Sequence, residues 1–185
     1  MKRFNEASFE KGYLKKFLDS ESFLGAIPSK RLKKSSGFFL GFRKGSIVFD
    51  LERSLNTFLK VSLLIKGCHQ SSANILFVGC PPSIEQIVQK ELSKSRHTFV
   101  SENSWILGSL TNYSQSKSRP DLIVTFNRTC TFPSKECFKK DVPLISFVDE
   151  TFDIHYVDYP IFVNLKSKGA AQMYYHLIKQ SISNV

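Results

Sequence analysis

Two groups of residues in this sequence invite a chemical reading. The first is GCPPS, Gly79 to Ser83, directly after an apolar run. Cys80 would sit at a strand end ahead of a helix, where a helix N-terminus can lower a thiol pKa and make a nucleophile. A phosphatase would need an Arg soon after it to clamp phosphate; Ile84, Glu85 and Gln86 stand there instead. Neither G-x-G-x-x-G nor G-x-x-x-x-G-K-[ST] occurs, so the glycines that let a backbone wrap phosphate are missing. The second group is Asp149, Asp153 and Asp158, placed for acid–base or metal chemistry, or for capping turns at strand ends. His69, His97, His155 and His176 show no metal-ligand spacing. Cys68, Cys80, Cys130 and Cys137 include no C-x-x-C, and read as reduced, mostly buried thiols of an intracellular protein. No nucleophile–base pair emerges. The expectation is a non-enzymatic chain without cofactor or metal, its rival a doubly wound enzyme acting on an anionic small molecule around Cys80 and Asp149.

The cations are better organised. Against 16 Asp and Glu stand 26 Lys and Arg, a net charge of +10. Such an excess on a folded chain expects a polyanion: nucleic acid first, an anionic membrane surface second. From Phe23 to Phe49 there is no acid, while Lys30, Arg31, Lys33, Lys34, Arg43 and Lys44 lie there and Arg53 follows. Lys117 and Arg119 make a second basic site. Long cations on a surface segment suit phosphate contacts. The interleaved Phe38, Phe39 and Phe42 are read as core rather than as base-stacking rings.

These residues need a scaffold, and the chain supplies its pattern. At 185 residues it is one domain, or one domain with an arm, long enough to bury a proper core. Four continuous or nearly continuous apolar runs read as strands: NILFVG, DLIVTF, VPLISFVD and YVDYPIF, with HTFVS as a short fifth. Strands without polar alternation are buried on both faces, which means a parallel sheet with helices on each side. Helical spacing marks Leu51, Leu55, Phe58, Leu59, Ser62 and Leu63, then Ile84, Ile87, Val88 and Leu92 with Ser83 as N-cap, and finally Met173, Leu177 and Ile178. FPSKECFKK reads as a short helix, and FFLGFRKGSIVFDL as a small hairpin. The fold class is α/β: a doubly wound, flavodoxin-like, mostly parallel five-stranded sheet flanked by helices. Residues 1–36 are read as an N-terminal helix and basic arm, and 37–185 as the α/β domain. No run of 18 apolar residues exists, so no spanning helix is expected. The start is basic but contains Glu6, Glu10 and Asp19, so it reads as an amphipathic helix (Phe4, Leu14, Phe17, Leu18) rather than a transit peptide.

Several segments, in order, resemble the ribosomal protein S2 family, the second protein of the small ribosomal subunit. FLGFRKGSIVFDLERSL is similar to the family's phenylalanine-glycine-arginine segment and helix start, through Gly41, Arg43, Asp50, Leu51 and Glu52. NILFVG and RPDLIVTFN resemble two of its strands. WILGSLTN resembles its tryptophan motif through Trp105, Gly108, Leu110, Thr111 and Asn112. The most specific match is VPLISFVDETFDIHYVDYPIFVN, held by Asp149, Asp153, Val157, Asp158, Tyr159, Pro160, Ile161 and Asn164. Together these cover roughly residues 20 to 182. Among the departures, Ser104 replaces the family's Arg and Leu107 its first glycine, and the early histidine is absent.

The resemblance implies a structural protein docked on small-subunit rRNA between head and body. Its partners would be that rRNA and neighbouring small-subunit proteins, with no membrane and no homo-oligomer. Bacterial members insert a long coiled-coil hairpin after the tryptophan motif; here only Tyr113 to Pro120 separate Asn112 from Asp121. That trimming, with Phe- and Ser-rich drift, suits an organelle ribosome: a mitochondrial one first, a plastid or bacterial cytoplasmic one as alternatives. Trp105 is then expected to anchor the crossover beneath a shortened basic loop, with no chemistry required.

Overall fold

The computed structural model describes residues 15, 18–19, 21–25, 36–112, 119–126, 132–152 and 154–182. The expected cations Lys30, Arg31, Lys33, Lys34 and Lys117 lie outside them, as do Asp153, Cys130 and the N-terminal positions Phe4, Leu14 and Phe17. In chain order, an antiparallel hairpin (β1, Phe39–Arg43; β2, Ser46–Phe49) leads into α1 (Leu51–Gln70). Then come β3 (Ile75–Val78), α2 (Glu85–Leu92), β4 (Thr98–Val100) and β5 (Leu122–Phe126). The series closes with α3 (Phe132–Lys139), β6 (Leu144–Val148), β7 (Tyr159–Phe162) and α4 (Lys168–Ile182). Single 3₁₀ turns cover Ser36–Phe38, Glu102–Ser104 and Ile154–Tyr156.

The larger sheet has the order β4-β3-β5-β6-β7, every neighbouring pair parallel. The first strand of this sheet lies inside the second, which is the doubly wound order expected of a flavodoxin-like layer. Every residue of β5 and β6 is buried, so the unbroken apolar runs mark strands covered on both sides. On one face α1, α2 and α4 pack over Ile75, Phe77, Leu122, Val124, Phe126, Ile145 and Phe147. The opposite face holds two smaller clusters, one under the hairpin (Ile47, Phe49, Val148, Phe152, Phe162) and one under α3 (Val78, Ile123, Cys137, Val142, Leu144). Val157 packs against both.

Tyr174 of α4 ties the first face together. Its ring stands edge-on to Phe77 (6.2 Å), Phe126 (5.3 Å) and Phe147 (5.5 Å). Its buried hydroxyl donates to the carbonyl of Gly79 at 2.7 Å, which satisfies a polar group that would otherwise be costly there. Gly79 itself has φ +70, and a Cβ there would lie 2.8 Å from the Phe126 carbonyl oxygen, so only glycine closes the strand at this point. Asp50 caps α1, accepting from the Arg53 backbone N–H at 3.0 Å. Two serines on the inward side of α1 find partners: Ser54 donates to the Phe162 carbonyl (2.9 Å) and Ser62 to Gln180 (2.7 Å).

Three expectations are corrected. Ser83 is not the N-cap of α2: the helix starts at Glu85 after Ile84, with no side-chain cap. The Ile84 N–H instead bonds to the Pro81 carbonyl, closing a turn that keeps Ser83 outside the helix. Leu63 and Ile87, placed inward by periodicity, are 69% and 48% exposed. In α1 the buried stripe runs through Ser54, Leu55, Phe58, Val61, Ser62 and Ile65, and Leu63 stands about 140° from Phe58 around the helix. Tyr156 belongs to a 3₁₀ turn rather than to β7.

His97 sets a pH limit on this arrangement. Its Nδ1 accepts the Ile75 N–H (3.2 Å), which leaves Nε2 to donate to the Ser181 carbonyl (2.7 Å). The neutral ring thus joins the start of β3 to the end of α4, with Arg96 beside it and His69 at 6.4 Å between ring centroids. Burial, the largest cause, lowers its pKa, and neighbouring Arg96 and His69 add to that against the Ser181 bond, which raises it. A folded pKa below the unfolded value means the unfolded chain binds the extra proton first. Stability is therefore full above about pH 6.5, the ordinary histidine value, and declines as pH falls through that value toward the folded pKa. Melting temperatures across this range should show the decline in the wild type and a weaker one in His97→Gln.

Candidate nucleic-acid interface

The hairpin is built to display charge. Arg43 pairs with Ser46, leaving Lys44 and Gly45 as a two-residue turn with φ of 50° and 82°. Positive φ at both central residues matches the primed turn whose twist suits a right-twisted ribbon. Glycine takes that conformation freely, whereas Lys44 holds it at a steric cost of about 1 kcal/mol. Arg43 and Lys44 are both exposed at this tip. Behind them the phenylalanines part company. Phe38 stacks on Phe162 (4.5 Å), and Phe39 meets Phe162 edge-on (6.0 Å). Phe42, read as core, is instead 63% exposed, and Leu40 is 69% exposed. A bulge at Phe39–Gly41 shifts the β1 register and pairs Phe42 with the buried Ile47, yet the Phe42 ring, one pair from the hairpin tip, stays exposed.

Arg53 stands at the base of the same hairpin. Its guanidinium lies 4.9 Å from the Phe38 ring centroid and donates to the Gly37 carbonyl, so it braces the entry to β1 as well as adding charge. Arg119 is elsewhere: it precedes β5 at the sheet's amino edge, and its guanidinium donates to the Lys140 carbonyl beyond α3. Arg43 and Lys44 thus share the hairpin tip, Arg53 lies on α1 at the hairpin's base, and Arg119 reaches the end of α3.

Trp105, between β4 and β5, packs against the Val78, Ile123, Cys137, Val142 and Leu144 cluster. The turn after it is held by a residue the sequence did not single out. Glu136 is buried on α3, and its two carboxylate oxygens accept the N–H groups of Gly108 (2.9 Å) and Leu110 (3.1 Å). Gly108, at φ +89, permits the sharp bend, and the Asn112 N–H closes it on the Gly108 carbonyl (2.7 Å). Also unforeseen were Lys135 and Lys139, both exposed on α3. An acid and a cysteine side by side on the inward half of FPSKECFKK, with lysines outward, were the available signal.

The two described acids of that group, Asp149 and Asp158, do not meet. Asp149 follows β6 and accepts from the Thr151 N–H (3.0 Å) and hydroxyl (2.7 Å). Asp158 precedes β7 and accepts the Leu144 N–H (2.8 Å) at the opposite end of β6. The length of β6, roughly 16 Å, lies between them. Pro160 sits in β7, the edge strand, where a residue without N–H is tolerated. Cys80 is poorly suited to attack: burial first, then Glu85, push its thiol pKa up to about 12. Asp149 closes a strand two positions away from that of Cys80, about 10 Å across the sheet. Cys137 is likewise raised to about 12, mainly by burial. Among the described residues no three His, Cys, Asp or Glu group as metal ligands, and no helix is long and apolar enough to cross a membrane.

The model of the family described as ribosomal protein S2 matches residues 17–128 and 113–184. The chain belongs to the ribosomal protein S2 family. Among curated relatives, the small ribosomal subunit protein uS2 of Petrotoga mobilis is 29% identical over 108 residues, 58% of this chain and 37% of that protein. That of Sorangium cellulosum is 28% identical over 115 residues, 62% and 41% of the two chains. The protein of the same name from Desulfatibacillum aliphaticivorans is 24% identical over 132 residues, 68% and 45%. The chain therefore aligns with less than half the length of these relatives. The two family matches overlap across residues 113–128, the stretch in which the chain passes from the tryptophan turn into β5.

Removing the Glu136 carboxylate should release that turn. Glu136→Ala leaves two backbone donors without their charged acceptor and should cost about 2–4 kcal/mol. Denaturant unfolding reads the loss. The emission of Trp105, the chain's one tryptophan, should shift to the red in the native baseline. Glu136→Gln, which keeps one acceptor oxygen, should fall between.

Proposed function

We propose that this chain is a structural constituent of the small ribosomal subunit that binds small-subunit rRNA and supports translation. One observation supports this most: a family member's rigid α/β layer presents an acid-free hairpin with Arg43 and Lys44 at its tip. Its relatives are named as small-subunit proteins, and the excess of positive charge suits a phosphate backbone. Contacts would come from Arg43, Lys44, Arg53 and Arg119, joined by Lys30, Arg31, Lys33 and Lys34 of a basic arm within residues 1–36, and by Lys117. Phosphate contacts position the protein and supply affinity, with little reading of base sequence. Trp105, Gly108, Asn112, Asp149, Asp158 and Pro160 serve the scaffold by closing turns and strand ends. The site would lie between head and body, among neighbouring small-subunit proteins, with the chain present as a single copy. The shortened crossover favours a mitochondrial ribosome over a plastid or bacterial one.

Binding to small-subunit rRNA should weaken steeply with salt. About six phosphate contacts predict a loss near 10³ between 50 and 200 mM salt; a flat response would remove the electrostatic basis. Replacing Arg43 and Lys44 together by Gln should lower the slope of log affinity against log salt by roughly 1.4–1.8. Cys80→Ser and Asp149→Asn, tested separately, should leave rRNA binding and sedimentation with small subunits unchanged. Loss of a small-molecule turnover in either variant would favour the enzyme reading.

A further inference from the structure

The exposed side of α3 has no role in the reading above. Lys135, Phe138 and Lys139 share that side, since residues three and four apart are neighbours on a helix. All three are exposed, Phe138 at 61%. The Phe138 ring is oriented by a neighbour: it stands at 60° to Tyr156 with centroids 5.3 Å apart, and His155 follows at 4.9 Å from Tyr156. Arg119 reaches the end of the same helix through the Lys140 carbonyl. Asp141 lies just past that end, outside the row formed by Lys135, Phe138 and Lys139. The patch shares a sheet face with the hairpin, because Val157 packs in both the cluster under the hairpin and the cluster under α3.

Resting on the rRNA-binding reading, we propose that Phe138 is a second RNA contact. Its ring stacks one unpaired base while Lys135 and Lys139 hold the flanking phosphates. An aromatic ring offers a flat face to any base, and Tyr156 already fixes its direction, so little side-chain freedom is lost on contact. The flanking ammonium groups select nucleic acid over an apolar protein surface, which would strip their water without supplying anions.

The test is equilibrium binding of the full chain to transcribed small-subunit rRNA over a range of salt, with thermal melting confirming that each variant is folded. Phe138→Ala and Phe138→Leu should each bind roughly tenfold more weakly with an unchanged salt slope, and Phe138→Tyr should restore affinity. Lys135→Gln with Lys139→Gln should lower the slope by roughly 1.4. Chemical probing should show an unpaired nucleotide protected by the wild type and reactive with Phe138→Ala. If Phe138→Ala binds like the wild type, the proposal is overturned. Recovery in Phe138→Leu overturns it too, since that points to apolar docking. So does unchanged RNA binding with failed entry into small subunits, which assigns the patch to a protein neighbour. If the wild type itself does not bind rRNA, the parent reading fails instead.

Discussion

A parallel sheet buries both of its faces or it does not form, and the rest of this molecule answers that demand. β5 and β6 have no polar side to turn outward, so something must lie over each of their faces. On one side the answer is conventional: α1 and α4 pack side by side, with Ser54 and Ser62 bonded to groups that would otherwise be orphaned. Tyr174 then fills the space between those helices and three strands, and its hydroxyl reaches the Gly79 carbonyl just past the end of β3. On the other side the cover is thinner and assembled from unlike pieces: a hairpin, a 3₁₀ turn, a two-turn helix and a tryptophan.

That asymmetry separates scaffold from surface. The helical side is the larger core, and its limits are those of packing and of the neutral His97 ring. The patchwork side carries Arg43, Lys44, Arg119, Lys135 and Lys139, together with the exposed rings Phe42 and Phe138. Cations on a patchwork of short elements cost little to place, because none must be desolvated until an anion arrives. The same elements are pinned by interactions that leave their outer surfaces available: Arg53 under the hairpin's entry, Glu136 under the tryptophan turn, Asp149 and Asp158 at the strand ends.

The sequence made the sheet legible because burial on both faces writes continuous apolar runs, and NILFVG, DLIVTF and VPLISFVD each became a strand. Placing the residues on helices was less secure. Leu63 and Ile87 satisfy a 3.6 period when counted from one neighbour, yet the buried stripe is fixed by which sheet residues face the helix, and that is tertiary information. Phe38 and Phe39 meet the Phe162 ring while Phe42, one pair from the hairpin tip, stays exposed, a difference of tertiary placement that no local pattern announces. Glu136 was harder still to place, for a stronger reason. An acid is expected at the surface, and this one is buried only because two backbone donors 26 and 28 residues away in sequence converge on it.

The crossover from β4 to β5 shows how far such a pairing can replace an element. A connection between these parallel strands must pass over β3, and the usual cover is a helix whose apolar stripe faces the sheet. Here the described part of the crossover contains only a 3₁₀ turn and a bend. Trp105 supplies apolar cover by packing against the cluster under α3, and its indole nitrogen is buried without an acceptor among the described residues. A bend has no ladder to satisfy its N–H groups, and the Glu136 carboxylate takes over that task for Gly108 and Leu110. Cover from the tryptophan and bonding from the glutamate together do what a helix does with its own residues.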